Sequence, residues 1–225
     1  MKSYNEETIN LFNQTILEDE FDDNLQNNDI YNGFVSGAKE LARLLDVKEI
    51  QTPFESDDCH RVLNVGAGQA QLMPLFLPGT IITDLEPCPQ RVTKNAVEGW
   101  CEAIPGNLVL QDIIVCWGVL CFVRSLPEAL INFNKALIME GYLIVDVVEF
   151  STMPLPQTVN PDSFVRYMQL FGFELEERIS FGYYYHKRVG YRFKMVENFD
   201  YKRLRMPQCG AKINNYLPER DWFMR

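Results

Sequence analysis

The chain has 225 residues, of which 47% are hydrophobic and 23% are charged, a composition typical of one globular domain with a sizeable core. It contains no apolar run of the length that a membrane-spanning helix requires, and its first residues are polar, unlike those of a secretory signal peptide. The composition therefore excludes a helical membrane protein, and we expect a soluble protein of the cytoplasm.

Charge is unevenly distributed along the chain, whose net value is −10. Residues 1–60 hold four Lys or Arg and fourteen Asp or Glu, whereas residues 186–225 hold ten basic and four acidic residues. A basic region with interleaved aromatic residues is typical of a surface that binds nucleic acid. The same region could instead pair with the acidic amino-terminal segment. We favour internal pairing or a solvated tail, because a polyanion would also meet the acidic bulk of the protein.

Two helices are predicted before the first strand. Hydrophobic residues at helical spacing predict one helix over residues 6–17 and another over residues 30–45. The second helix presents apolar residues that could pack on a sheet or cover a ligand. A polar linker is predicted over residues 49–60.

An apolar strand followed by a glycine turn, at residues 62–70, is the most informative segment of the chain. Gly66 and Gly68 lack a Cβ, so the backbone can turn sharply and a ligand can approach the main chain. The amides at the start of the following helix would then point at that ligand. A dinucleotide-binding fingerprint requires a third glycine where this chain has Gln71, which argues against a nicotinamide cofactor.

A second predicted strand ends in the acidic residues Asp84 and Glu86. A carboxylate at the end of a strand beside the glycine turn can accept hydrogen bonds from both hydroxyl groups of a ribose. The segment between Asp84 and Gly99 is too short for a full helix and strand, and Pro87 and Pro89 interrupt its start. The third strand is therefore predicted to be reduced.

The middle of the chain predicts a strand, a helix and a strand in succession. Residues 112–120 have the pattern of a buried central strand followed by a turn of small residues. Ser125 and Glu128 form a capping-box pattern at the start of a helix, and Gly141 is predicted to end it. The β-branched run over residues 142–148 predicts the fifth strand. This order is that of a doubly wound α/β sheet.

The carboxyl-terminal part predicts one helix and two further strands. Residues 151–161 contain three prolines and are predicted as a loop at the carboxyl edge of the sheet, and residues 161–171 as a short helix. Alternating patterns over residues 173–181 and 190–196 predict two strands of an antiparallel hairpin.

The ordered set of motifs over residues 61–150 resembles the class I S-adenosylmethionine-dependent methyltransferases, in particular those of type 11. The resemblance implies a doubly wound, mostly parallel, seven-stranded Rossmann-like α/β sheet with a carboxyl-terminal antiparallel hairpin. It implies S-adenosylmethionine as the cofactor, and residues 98–105 as the segment that passes the adenine ring. The residues that it places at the cofactor are Asn64, Gly66, Ala67, Gly68, Asp84, Leu85, Trp100, Cys101, Cys116 and Trp117. The resulting division is a helical extension or lid over residues 1–60, a methyltransferase-like core over 61–200 and a basic tail over 201–225.

Two positions depart from the family pattern. Asn64 stands where an acidic residue usually precedes the first glycine, and its amide can bind the methionine end of a cofactor without supplying charge. Trp100 stands where an Asp commonly accepts from the adenine amino group, and an indole could stack on the ring but only donates a hydrogen bond. An inherited fold that serves as a catalytically silent binding module is therefore an alternative.

Methyl transfer requires alignment of the acceptor more than it requires a base. His186, preceded by Tyr183, Tyr184 and Tyr185, is one candidate base, with a solvated turn histidine as the alternative, and Glu149 after the fifth strand is another. The three tyrosines are candidates for substrate contact. No Asn-Pro-Pro-aromatic signature follows the fourth strand, which disfavours amino methylation of DNA bases. We expect a small-molecule acceptor, with an RNA or other nucleic-acid methyltransferase or binder as the alternative.

The six cysteines form no Cys-x-x-Cys pair, and the two histidines form no cluster with them, so no metal site is predicted. We interpret the cysteines as reduced thiols of a reducing compartment. Cys101 and Cys116 could line the cofactor pocket or serve as small core residues. The sequence gives no signal for the oligomeric state.

Overall fold

The computed structural model of the protein describes residue 37 and residues 40–45, 60–66, 80–87, 96–151, 160–183 and 186–200. Within them, seven strands form one sheet: β1 (Arg61–Val65), β2 (Ile81–Glu86), β3 (Ala96–Glu98), β4 (Gln111–Cys116), β5 (Leu137–Ser151), β6 (Phe173–Tyr183) and β7 (His186–Met195). The helices are α1 (residues 40–44), α2 (Leu126–Ala136) and α3 (Pro161–Leu170), with a 3-10 turn at Leu120–Phe122. The helix predicted over residues 6–17 and most of the one predicted over residues 30–45 lie outside the described residues. In this described part no helix is both long and apolar enough to cross a membrane.

The strand order is β3-β2-β1-β4-β5-β7-β6. The strands β1 to β5 are parallel to one another, and β7 and β6 close the sheet as an antiparallel hairpin on β5. This arrangement confirms the predicted fold class. In the described residues the third strand spans only Ala96–Glu98, and its predicted reduction is compatible with this short span.

Two apolar layers cover the two faces of the sheet. Alternation along β4 sends Ile114 to one layer and Ile113 to the other. The first layer contains Phe133 of α2, and the second contains Leu44 of α1, both fully buried. Full burial of such a side chain contributes roughly 1.5 to 3 kcal/mol, so both layers hold the sheet in place.

The start of α2 is stabilised differently from the prediction. Ser125 is the N-cap residue, but its side chain makes no capping hydrogen bond. Instead Glu102 accepts the backbone N–H of Arg124 at 2.6 Å and that of Ser125 at 3.5 Å. A carboxylate at this position also interacts favourably with the helix dipole. The predicted capping box was therefore wrong. The start of the helix is instead hydrogen-bonded to Glu102, which belongs to the segment predicted to lie beside the adenine ring.

The end of α2 also differs from the prediction, because the helix stops at Ala136 and not at Gly141. Gly141 lies inside β5, where a Cβ would lie 2.9 Å from the Ile138 carbonyl oxygen and 3.0 Å from that of Asp112. The pairing of β4 with β5 shifts register at this point. The glycine therefore permits close approach of two strands at a bulge, a role that helical periodicity could not distinguish from a helix stop.

The basic residues of β7 are paired with acidic residues of the neighbouring strands. These ion pairs are Lys187–Glu149, Arg188–Asp146, Arg192 with Glu176 and Glu177, and Lys194–Glu140. Part of the basic region is thus paired internally, as we favoured. The partners that the structure describes for these four residues belong to β5 and β6.

Candidate functional site

The carboxyl ends of β1, β2 and β4 lie side by side at one edge of the sheet. Gly66, directly after β1, has φ +67°, a conformation that favours glycine, and its N–H donates to the Leu85 carbonyl oxygen at 2.7 Å. A Cβ at Gly66 would overlap the Cγ2 methyl of Val119. The glycine turn is therefore fixed between β2 and the turn that follows β4. Ala67 and Gly68 lie outside the described residues.

Asn64 and Asp84 are neighbours in the sheet register and are both buried. The Asn64 Nδ2 donates to the Asp84 Oδ1 at 3.0 Å. An acid at position 64 would instead place two carboxylates against each other. The departure from the family pattern therefore has a local effect, because the amide orients the carboxylate that is predicted to bind ribose.

Glu86 is the second acidic residue of β2 and is also buried. Because side chains alternate along a strand, Asp84 and Glu86 point to the same face of the sheet. Both therefore lie at the edge where the glycine turn begins.

The turn after β4 contains Trp117 and Gly118. The Gly118 N–H donates to the Asp146 Oδ1 at 2.5 Å, with Gly118 at φ +77°. The Trp117 ring stacks on Phe181, with ring centroids 5.5 Å apart and planes 7° from parallel. It also lies against Gly190, where a Cβ would be 2.7 Å from its Cη2 atom. The Trp117 side chain thus packs on the closing hairpin, while its backbone belongs to the turn.

Trp100 follows the carboxyl end of β3 and is 49% exposed. Its carbonyl oxygen accepts the Ala103 N–H at 2.9 Å, which closes a short turn. The preceding Gly99 packs against Leu85, since a Cβ there would be 2.6 Å from the Leu85 Cδ1. The segment is therefore anchored on β2 with a half-exposed indole at the site edge.

Cys101, Cys116 and Cys121 are buried free thiols. Burial raises the pKa of Cys121 to about 11, and it also raises the pKa of Cys116 well above its usual value. Burial and a hydrogen bond to Glu102 also raise the pKa of Cys101. Such thiols stay protonated at neutral pH, as expected of small core residues. Contact of Cys101 or Cys116 with a cofactor stays a prediction.

The candidate bases His186 and Glu149, and the candidate substrate contact Tyr183, lie where β5 meets the hairpin. His186 begins β7 and pairs with Tyr183 and with Ser151, the last residue of β5. Glu149 forms an ion pair with Lys187 at 2.8 Å through its Oε2 atom. Tyr184 and Tyr185 lie outside the described residues.

Asp146 and Arg188 were missed by the sequence reasoning. They form an ion pair between β5 and β7, with side chains 0% and 15% exposed. The available signal was an acidic residue in the middle of an otherwise apolar strand, since a buried charge requires a partner.

Comparison with solved structures identifies the architecture. One similar structure is 1,6-didemethyltoxoflavin-N1-methyltransferase of Burkholderia thailandensis with bound 1,6-didemethyltoxoflavin and S-adenosylhomocysteine, which has 12% identity and a TM-score of 0.56 over 72% of this chain and 79% of that one. Another is N-methyltransferase NodS of Bradyrhizobium japonicum, with 15% identity and a TM-score of 0.52 over 75% of this chain and 99% of that one. A 16S rRNA (adenine(1408)-N(1))-methyltransferase of Catenulisporales acidiphilia is also similar, with 14% identity and a TM-score of 0.52 over 72% of this chain and 93% of that one. No protein-family model and no curated protein sequence matches the chain. The protein has the class I S-adenosylmethionine-dependent methyltransferase fold.

Proposed function

We propose that the protein binds S-adenosylmethionine at the carboxyl edge of β1, β2 and β4 and transfers its methyl group to a small-molecule acceptor. The observation that carries this proposal is the Gly66 turn, held at positive φ between Leu85 and Val119 beside a buried carboxylate. A turn of this kind brings ligand close to the main chain, and an oriented carboxylate is an acceptor that suits the hydroxyl groups of a ribose. The residues present therefore fit the cofactor.

Each residue of the site has a distinct task in this proposal. The cofactor, when bound, supplies a methyl group on a positively charged sulfur. Asp84 accepts hydrogen bonds from the ribose hydroxyl groups, with its carboxylate oriented by Asn64. The side-chain oxygen of Asn64 accepts a hydrogen bond from the methionine end, and Trp100 forms an aromatic wall beside adenine. The protein otherwise aligns the acceptor and excludes water.

The ion pairing of β7 supports a small-molecule acceptor over a nucleic acid. Its four basic residues already have acidic partners in the sheet, so they present no unpaired positive face. The rRNA methyltransferase among the similar structures keeps the second candidate open, with residues 201–225 as the basic segment that would carry it. Binding to an RNA should then weaken steeply as salt is raised. The cytoplasmic location stays a prediction of the sequence.

S-adenosylmethionine and S-adenosylhomocysteine are both expected to stabilise the folded chain. At a ligand concentration about one hundred times the dissociation constant, linkage gives roughly 2.7 kcal/mol of added stability. A thermal-shift titration measures this, with NAD as the control ligand that should give no shift. A chain that is folded by circular dichroism, yet has the same melting temperature with millimolar cofactor, would contradict the proposal and support the silent binding module.

Asp84→Ala should weaken cofactor binding by about 1.5 to 3 kcal/mol, as expected for loss of hydrogen bonds to a charged group. Glu86→Ala is the matched control, because Glu86 is a buried acid on the same strand and the same face. Calorimetric titration of each folded variant with S-adenosylhomocysteine gives the comparison. Loss of binding in Glu86→Ala alone would move the ribose site to Glu86.

Trp100→Phe should largely preserve affinity, whereas Trp100→Ala should weaken it by roughly 0.5 to 1.5 kcal/mol, because stacking needs an aromatic ring but no indole N–H. The same calorimetric titration distinguishes the two variants. Normal binding by Trp100→Ala would assign the residue a structural role.

A further inference from the structure

The ion pair between Asp146 of β5 and Arg188 of β7 is largely withdrawn from water. The Asp146 side chain is fully buried and that of Arg188 is 15% exposed. Burial raises the pKa of the Asp146 carboxyl, and the Arg188 guanidinium and the Gly118 N–H act against that rise. A buried pair of this kind is a weak source of stability, because apolar residues of similar volume often serve as well. Stability alone therefore does not account for it.

The pair is connected to the turn that follows β4. One oxygen of Asp146 accepts the Gly118 N–H at 2.5 Å, and a hydrogen bond to an ionised acceptor is stronger than one between neutral groups. The other oxygen is held by the Nη2 of Arg188. The acceptor for the Gly118 amide is thus fixed from two strands, β5 on one side and β7 on the other.

The same turn is in contact with the glycine turn of β1. Val119 directly follows Gly118, and its methyl groups occupy the space that a side chain at Gly66 would need. A continuous set of contacts therefore runs from Arg188 through Asp146, Gly118 and Val119 to Gly66. Gly66, at one end of this set, belongs to the proposed cofactor site, and Arg188, at the other end, belongs to the closing hairpin.

We propose that Asp146 is a positioning residue for the cofactor: its carboxylate, held by Arg188, fixes the Gly118 amide and, through Val119, the Gly66 turn. This inference rests on the proposed function. Asp146 acts through the two turns, so its loss should lower cofactor affinity even where the fold is retained. The Gly118 amide proton reports the hydrogen bond independently of any cofactor.

Two double variants of the full chain separate this role from a merely structural one. In Asp146→Leu/Arg188→Met the pair is replaced by apolar residues, which avoids an uncompensated buried charge. In Asp146→Asn/Arg188→Met the charge is equally absent, but the asparagine oxygen can still accept the Gly118 N–H. The two proteins therefore differ in the acceptor for one amide.

The leucine double variant should bind S-adenosylhomocysteine about tenfold more weakly than wild type, and the asparagine variant should recover most of that loss. In the cofactor-free proteins, the Gly118 amide proton resonance should lie downfield in wild type and move upfield in the leucine variant. Glu140→Gln/Lys194→Met is the control, because it removes a partly exposed ion pair between the same two strands. It should bind as wild type does.

Wild-type affinity in both Asp146 double variants would overturn the positioning role while leaving the proposed function intact. A wild-type chain that does not bind S-adenosylhomocysteine would overturn both. If the leucine variant fails to fold, Val119→Ala tests the next contact without disturbing the ion pair. It should weaken binding several-fold, and unchanged affinity would contradict the proposal.

Discussion

Gly66→Ala is expected to lower the free energy of unfolding by about 2 to 5 kcal/mol and to remove cofactor binding. A non-glycine residue in the left-handed region costs roughly 1 to 2 kcal/mol, and overlap with a packed neighbour adds about 1 to 3 kcal/mol. Both terms apply, since Gly66 has φ +67° and its Cβ would overlap a methyl of Val119. Urea unfolding measures the stability, and calorimetric titration with S-adenosylhomocysteine measures the binding.

Gly106→Ala is the matched control for this change, because a Cβ at Gly106 would meet no atom within 4 Å. It should leave stability nearly unchanged. The double variant Gly66→Ala/Val119→Ala should recover the stability that Gly66→Ala loses through overlap with Val119. It should not recover the stability that is lost through the left-handed backbone conformation. Equal urea midpoints for Gly66→Ala and Gly106→Ala would show that the turn is not confined as described.

Asn134→Ala should lower the free energy of unfolding by roughly 1.5 to 4.5 kcal/mol, since each of the three hydrogen bonds of this side chain contributes about 0.5 to 1.5 kcal/mol. The Asn134 side chain, on α2, is 2% exposed. Its Nδ2 donates to the carbonyl oxygens of Phe171 and Glu197, each at 2.8 Å, and its Oδ1 accepts the Phe199 N–H at 2.8 Å. One side chain thus joins α2 to the end of α3 and to the segment after β7.

Asn132→Ala is the control on the same helix. Asn132 is half-buried and donates to the Cys101 carbonyl oxygen at a longer distance of 3.4 Å. Its replacement should cost about 1 kcal/mol or less in the same denaturant titration. A comparable loss in both variants would mean that the three hydrogen bonds of Asn134 contribute no more than one weak bond.

The strands that the sequence predicted well are those whose pattern is local. The β-branched and apolar runs at β1, β2, β4 and β5 indicate strands by composition alone, and the short spacing before Gly99 indicated the reduced β3. The start of β5 was missed because Leu137 continues the helical spacing of α2. Pairing with β4 overrides that local preference.

The parts of the site that the sequence could not predict depend on register between distant segments. Asn64 lies beside Asp84 because β1 and β2 pair in the sheet. Glu102 meets the start of α2 because the segment after β3 lies against that helix end. Glycine spacing and acidic strand ends give the location of a site. They do not give the partners of its side chains, which follow from tertiary pairing.

The methyltransferase-like motifs end near residue 150, but the unit that can fold extends through β7. Val189, Tyr191 and Phe193 of β7 are fully buried. A chain cut after β5 would expose that strand as an unpaired edge and would leave Asp146 buried without its cation. A premature stop or a proteolytic cut within the hairpin would therefore destabilise the fold while leaving every proposed cofactor ligand in the sequence, and an expression fragment should extend past Met195 through Phe199, which hydrogen-bonds to Asn134.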